Sequence, residues 1–141
     1  PLNNIFLNYI MVKIRKKYIC SHQIKKGIGG LKELLKLSKQ GFSTALMIDQ
    51  RVSEGIKSKF FNENAFTTTI PAQLVKKYNL PIVPIFIDRF DGTKFKITIQ
   101  KPINFSSDNS IEDITCELNG VLEKMVYKNP NYWIWSHNRW K

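Results

Sequence analysis

Apolar residues recur along this chain at two spacings, and the alternation between them sets the expected elements. From Asn4 to Tyr18, Phe6, Tyr9, Ile10 and Ile14 fall at helical spacing. Lys13, Arg15, Lys16 and Lys17 crowd the C-terminal end, where cations suit the helix dipole. Two uses fit such a segment: a basic amphipathic helix lying on a membrane, or a core-packing helix with a solvated basic end. The second is the reading taken here. The chain opens on Pro1, followed directly by helix-forming residues with no cap before them, which reads as the start of a fragment. Tyr18 to Ser21 is read as a short strand. Gly27, Gly29 and Gly30 then lead into a helix with the stripe Leu31, Leu34, Leu35 and Ser38, stopped by Gly41. Gly27-Ile28-Gly29-Gly30 fits neither the P-loop nor the dinucleotide fingerprint, so a flexible helix entry is its expected use.

The spacing changes at Ser43. The run Ser43–Ile48 is continuously apolar after its first two residues and reads as a buried strand, ending abruptly at Asp49-Gln50. A loop is expected from there to Phe60-Phe61. A helix follows from about Pro71 to Tyr78, capped from the Thr67-Thr68-Thr69 cluster, with Ile70, Leu74, Val75 and Tyr78 on one face. Ile82–Ile87 reads as a second buried strand, with Pro84 arguing for an edge or bulge. Asp91-Gly92 turns the chain into Phe95, Ile97 and Ile99, which alternate with Lys94, Lys96, Thr98 and Gln100, the pattern of a half-buried strand with a basic outer face. The last long helix is capped by Ser110, shows Ile111, Ile114, Leu118, Val121, Leu122 and Met125 on one face, and stops before Pro130. Strand, helix, strand, helix, strand is the order of an α/β fold with right-handed crossovers.

Composition narrows the class. The apolar content of 43% is that of a globular chain. Its 22 basic residues against 11 acidic leave a net charge of +11, a field that draws anionic partners; the bland alternative is lysine serving solubility. Cys20 and Cys116 show no metal-ligand spacing and read as free thiols. No apolar run is long enough to span a bilayer. All three tryptophans fall in the final nine residues, Trp133 to Lys141, interleaved with His137, Arg139 and Lys141. Aromatic bodies beside basic heads suit a ligand both greasy and anionic, whether a phosphate-bearing lipid or a nucleic acid.

In an open α/β sheet, ligands bind beyond the carboxyl ends of the strands. Asp49 leaves the first expected strand there, to orient a base, hold a substrate hydroxyl or pair with Arg51; an Asx turn or salt bridge is the structural alternative. Arg89 leaves the next strand in the corresponding place, either solvated or aimed at the same cleft to meet an anionic group. Neither His22 nor His137 has an acid at a spacing suited to a catalytic pair, and no Ser stands in a nucleophile elbow.

Asp49-Gln50, Phe60-Phe61-Asn62-Glu63-Asn64-Ala65-Phe66-Thr67, Pro71-Ala72-Gln73-Leu74, Leu80-Pro81-Ile82-Val83-Pro84, Arg89 and the tail Trp133–Lys141 occur in an order that resembles the bacterial lipid A biosynthesis (lauroyl/myristoyl) acyltransferases of the lysophospholipid acyltransferase superfamily. Pro1-Leu2-Asn3-Asn4 resembles the segment after a Tyr-Arg pair in those enzymes, so the likeness spans essentially the whole chain. It implies a mixed, mostly parallel α/β sheet with flanking helices, of which residues 1–141 form the C-terminal part of a single acyltransferase domain. It implies transfer of a fatty acyl chain from acyl carrier protein to a hydroxyl of a lipid A precursor, on a membrane surface at the cytoplasmic face of the inner membrane, with no cofactor or metal.

The family's general base is a His with an acid five positions later. Five positions after His22 stands Gly27, and five after His137 lies past Lys141, so that pair is expected upstream of Pro1. Carried over by motif, Asp49 is the acid lining the catalytic site. Phe60, Phe61, Ala65 and Thr67 match the loop after it, with Asn62 where glycine is more usual. His137 and Arg139 match the tail, for packing and headgroup contact. Phe60, Phe61, Thr67, Arg89, His137 and Arg139 are thus the expected substrate-side residues. An acyltransferase for another glycolipid is the near alternative. A nucleic-acid module stacking bases on Trp133 and Trp135 beside Arg139 is the distant one, disfavoured because the basic residues are dispersed and no binding motif is present.

Overall fold

The computed structural model describes residues 4–24 and 28–141, which separate into two compact units, Pro1–Ala45 and Leu46–Lys141. Pro1-Leu2-Asn3 and Gly27, used in the sequence reading, lie outside the described residues. In the first unit, helix α1 runs Ile5–Tyr18. It does have a cap: the Asn4 side chain accepts the Phe6 and Leu7 N–H groups at 3.0 and 3.1 Å, satisfying donors that a helix start leaves open. Tyr18 closes this helix and no strand forms at 18–21. The core-packing use of α1 is not met either, because none of its residues is buried and Phe6 remains 83% exposed. Helix α2, Ile28–Lys39, buries Leu34 and is stopped as expected near Gly41, at φ 87°.

The second unit holds the core. Strands β1, Ile56–Phe60, and β2, Glu63–Thr67, form an antiparallel hairpin in the stretch read as a loop. Its turn is Phe61-Asn62, both left-handed at φ 52° and 63°. Asn tolerates that conformation almost as glycine does, which resolves how the turn forms without glycine. Phe61 does not tolerate it well. It is held because its N–H donates to Glu123 Oε1 at 2.6 Å and its ring packs edge-on against Phe60 and Tyr127, at 4.7 and 5.1 Å. Gly55, at the hairpin entrance, lies where an added Cβ would stand 2.3 Å from the Thr67 carbonyl oxygen.

Helix α3, Ile70–Tyr78, buries Pro71, Ala72, Leu74 and Val75. Its start is served by Thr68, whose Oγ1 accepts the Ile70 N–H at 3.3 Å. Strands β3, Ile85–Phe90, and β4, Lys94–Ile99, pair antiparallel around Asp91-Gly92, both at positive φ, as the Asp-Gly signal predicts. Helix α4, Ile111–Lys128, opens with a full capping box between Ser110 and Asp113. It buries Ile114, Leu118, Leu122 and Val126 together with the polar Thr115 and Asn119. Two clusters result: Phe60, Ala65, Leu122 and Val126 in one, Ala72, Val75, Ile114 and Leu118 in the other, with Ile48 packed against both.

The fold is therefore mixed α/β, with four helices and two small antiparallel sheets among the described residues. Three expectations change. Ser43–Ile48 is not a strand: a strand exists only with a hydrogen-bonding neighbour, and no described residue pairs with it. Leu46 and Met47 are exposed, and only Ile48 reaches the core. Ile82 makes one isolated bridge to Ile103, and the strand proper begins after Pro84. The apolar alternation of β3 and β4 is real, since Ile85 faces Ile99 and Ile87 faces Ile97 across the ladder. Their shared face is nevertheless exposed rather than buried.

Candidate active site

Ile48, wedged between the two clusters, fixes the point from which Asp49 leaves. On the other side α4 ends at Asn129, and a 3-10 turn at Pro130–Tyr132 folds the tail back across the hairpin. The turn is tied down by Asn129 Nδ2 donating to Asp88 Oδ1 at 2.6 Å and by Tyr132 Oη donating to the Arg89 carbonyl. Between these two segments lies an open cleft of about 140 Å³ lined by Asp49, Gln50, Tyr132, Trp133, Ile134 and His137. One carboxylate, one amide and one imidazole thus meet aromatic and aliphatic walls. That mixture suits a hydroxylated ligand with an apolar body.

Behind the cleft sits Arg139, fully buried. Its Nη2 donates to Asn119 Oδ1 at 2.7 Å and to Thr67 Oγ1 at 3.2 Å, and its guanidinium stands 4.1 Å from the centre of the Phe60 ring. Asn119 completes the group, its Nδ2 donating to the Lys59 carbonyl at 2.9 Å and to Thr67 Oγ1 at 3.1 Å. Burial pushes the Arg139 guanidinium down to about 10, opposed by the negative charges of Asp49 and then Glu123. Arg139 Nε and Nη1, Asp49 Oδ1 and Trp133 Nε1 are buried without hydrogen-bond partners.

The expected site residues divide by position. Asp49 and His137 reach the cleft; Asp49 is in neither ion pair found among the described residues, and so is not bonded to Arg51. His137 Nε2 accepts the Arg51 N–H at 3.2 Å, which occupies the nitrogen a general base would use. Phe60 is wholly buried, and Thr67 Oγ1 accepts from Asn119 and Arg139 while donating to the Ala65 carbonyl. That hydroxyl has no hydrogen-bonding capacity left for a substrate. Phe61 is half-buried at the hairpin turn. Arg89 is not brought to the cleft: its Nε donates to the Gly92 carbonyl at 2.5 Å and its head lies over Phe95, at 5.8 Å. The tail is not a display of rings either, since Trp133 and Trp140 each pack on Phe60 with centroids 5.6 Å apart, leaving Trp135 outside. Of the Trp133, Trp135 and Arg139 set offered for stacking bases, only Trp135 is exposed.

Tyr132 and Asn119 escaped the sequence reading, and Gln50 entered it only as the second residue of the Asp49-Gln50 motif. Asn119 did leave a signal: a polar residue set beside Leu118 within an apolar helix stripe. His22 belongs to the other unit, its ring edge-on to Phe42 at 5.0 Å, and is in neither ion pair found among the described residues. No group of three or more metal-ligating side chains occurs among the described residues, and no described helix is long and apolar enough to cross a membrane.

The model of the bacterial lipid A biosynthesis acyltransferase family matches residues 1–141, and the chain belongs to that family. No curated protein matches it.

Proposed function

We propose that this chain supplies the acceptor side of an enzyme moving a fatty acyl group from acyl carrier protein to a hydroxyl of a lipid A precursor. The observation that carries the reading is Asp49 at the cleft, one carboxylate oxygen unpartnered, in a chain that matches the acyltransferase family from end to end. In the transfer, the acceptor oxygen attacks the thioester carbonyl, a C–O bond forms, the C–S bond breaks, and the hydroxyl proton ends on the carrier thiol. Asp49 accepts the hydrogen bond of an acceptor hydroxyl and fixes its direction of attack. The general base is a histidine outside these residues, since His137 Nε2 is already engaged by Arg51. In this reading residues 1–141 are the C-terminal part of a single acyltransferase domain with a mostly parallel sheet.

The net charge of +11 suits both an acidic carrier and anionic lipid. On α1, exposed Ile5, Phe6, Tyr9 and Ile10 beside Lys13, Arg15, Lys16 and Lys17 suit a helix lying on the cytoplasmic face of the inner membrane. The test is Asp49→Asn in the full-length enzyme, assayed with an acyl carrier protein thioester and a lipid A precursor. Turnover is expected to fall by about 10²-fold or more with the melting temperature unchanged. Wild-type kinetics in a folded variant would demote Asp49 to a structural role.

A further inference from the structure

Two cations meet at one aromatic ring beside the cleft. On the outer face of the β1–β2 hairpin, Lys57 stands directly opposite Phe66 in the ladder, while Ser58, Phe60, Ala65 and Thr67 turn inward and are buried. Lys57 Nζ lies 5.7 Å from the centre of the Phe66 ring, and the Arg51 guanidinium carbon lies 5.7 Å from the same centre. Backbone bonds hold Arg51 there from two sides. Its own N–H donates to His137 Nε2 at 3.2 Å, and the N–H of Val52 donates to the Phe66 carbonyl at 3.4 Å. Asp49, Gln50 and His137 line the cleft, so these bonds set Arg51 at its rim, with Lys57 on the same ring.

An aromatic face holds one cation at an exposed site with modest strength. A second cation on the same ring adds repulsion between like charges, which an anion between them relieves. The chain does not supply that anion. Neither Arg51 nor Lys57 is in either ion pair found among the described residues, and nor is Glu54, which lies three residues from each. Other cations of this unit are committed: Lys59 donates to the Asn62 carbonyl, Arg89 to the Gly92 carbonyl, and Lys94 and Lys128 pair with Asp91 and Asp88. Arg51 and Lys57 are both exposed, so a ligand reaches them from solvent.

We infer that Arg51 and Lys57 form an anion subsite, floored by Phe66, that holds a phosphate group of the acceptor while the adjacent cleft holds its hydroxyl. Two cations match a phosphate monoester, which carries about two negative charges at neutral pH, better than a carboxylate with one. A guanidinium takes two phosphate oxygens side by side, and an ammonium serves as a point charge for the rest. A phosphate borne by the acyl donor has the same chemistry, and the experiment separates the two sources. The identity of the ligand rests on the reading of the cleft as the acceptor side; the binding of phosphate does not.

The full-length enzyme carrying Arg51→Gln or Lys57→Gln is assayed with an acyl carrier protein thioester and a lipid A precursor, each varied in turn. Thermal melts check that these exposed substitutions leave the fold intact. The acceptor KM is expected to rise by about tenfold in either variant, with kcat and the donor KM near wild type, the pattern of a lost binding contact. Removing phosphate from the precursor should raise the wild-type KM and erase the difference between wild type and variants. Lys59→Gln takes the same charge from the same hairpin face and is expected to leave the acceptor KM unchanged. Binding is read apart from activity through the Phe66 ring resonances, which should shift to saturation with glucose 1-phosphate and stay still with glucose. The Arg51→Gln/Lys57→Gln double variant should lose that response. An unchanged acceptor KM in both folded variants, an equal effect of Lys59→Gln, a rise in the donor KM instead, or a Phe66 ring that ignores glucose 1-phosphate overturns the inference. A Phe66 response that needs Arg51 and Lys57, found together with a fully active Asp49→Asn enzyme, would leave the subsite standing and defeat the proposed function instead.

Discussion

Replacing Asn119 by alanine removes the joint that fastens hairpin, helix and tail to one another. Asn119 is wholly buried, and each of its hydrogen bonds reaches a different part of the chain: the Lys59 carbonyl at 2.9 Å, Thr67 Oγ1 at 3.1 Å, and Arg139 Nη2 at 2.7 Å. The first two are neutral and worth about 1 kcal/mol each, while the third involves a charged donor and is worth about 1.5–3 kcal/mol. Their loss also strands the Lys59 carbonyl and leaves Arg139 with Thr67 as its last hydrogen-bond partner. The expected cost is about 4 kcal/mol, a large part of the stability of an ordinary domain. It should appear as a fall in melting temperature on the order of 10 °C. Asn119→Asp separates the contributions: the carboxylate still accepts from Arg139 and adds attraction, but has no donor for Lys59, so the loss should be only about 1–2 kcal/mol. Urea unfolding followed by circular dichroism, with thermal melts alongside, measures both. A folded Asn119→Ala within about 1 kcal/mol of the parent, where ordinary surface changes fall, would refute the reasoning, as would an aspartate variant weaker than the alanine one.

Two further outcomes follow from local geometry. Gly55→Ala places a Cβ 2.3 Å from the Thr67 carbonyl oxygen and 2.7 Å from Val52 Cγ2; because the first of these is backbone, the hairpin must shift, and thermal melts should show a loss of about 1–3 kcal/mol. Hydrogen bonds from the Ser110 hydroxyl and backbone N–H hold the Asp113 carboxyl below its usual 3.8. Its contribution is thus present above about pH 3.8 and lost as pH falls through the lower folded value. The stability gap between wild type and Asp113→Asn, measured by melts across pH, should be open at pH 7 and close on acidification.

Local signals carried much of the fold. Ser110 marks the start of α4, Gly41 the end of α2, and Asp91-Gly92 the β3–β4 turn; each works through its own backbone and needs no partner elsewhere. The place of Asp49 on the cleft wall was legible because the end of an apolar run is a local fact too. The β1–β2 hairpin was missed because Lys57-Ser58-Lys59 offers no apolar alternation, and a Phe61-Asn62 turn forms only because Glu123, sixty-two residues on, accepts the Phe61 N–H. Ser43–Ile48 shows the reverse failure: its composition is that of a strand, but composition does not supply the neighbour a strand requires. The tryptophan-rich tail misled in a third way. Spacing tells where rings stand along the chain and not whether Phe60 turns them inward.

Trp140 stacks on Phe60 and donates its indole N–H to the Phe60 carbonyl at 2.9 Å, a contact bridging eighty positions. The β1–β2 hairpin is therefore synthesised about eighty residues before the indole that covers its inward face. Closure waits until Arg139 and Trp140 are available to fold back. Such long-range pairing slows folding, and during the interval Phe60, Leu122 and Val126 are open to chaperones.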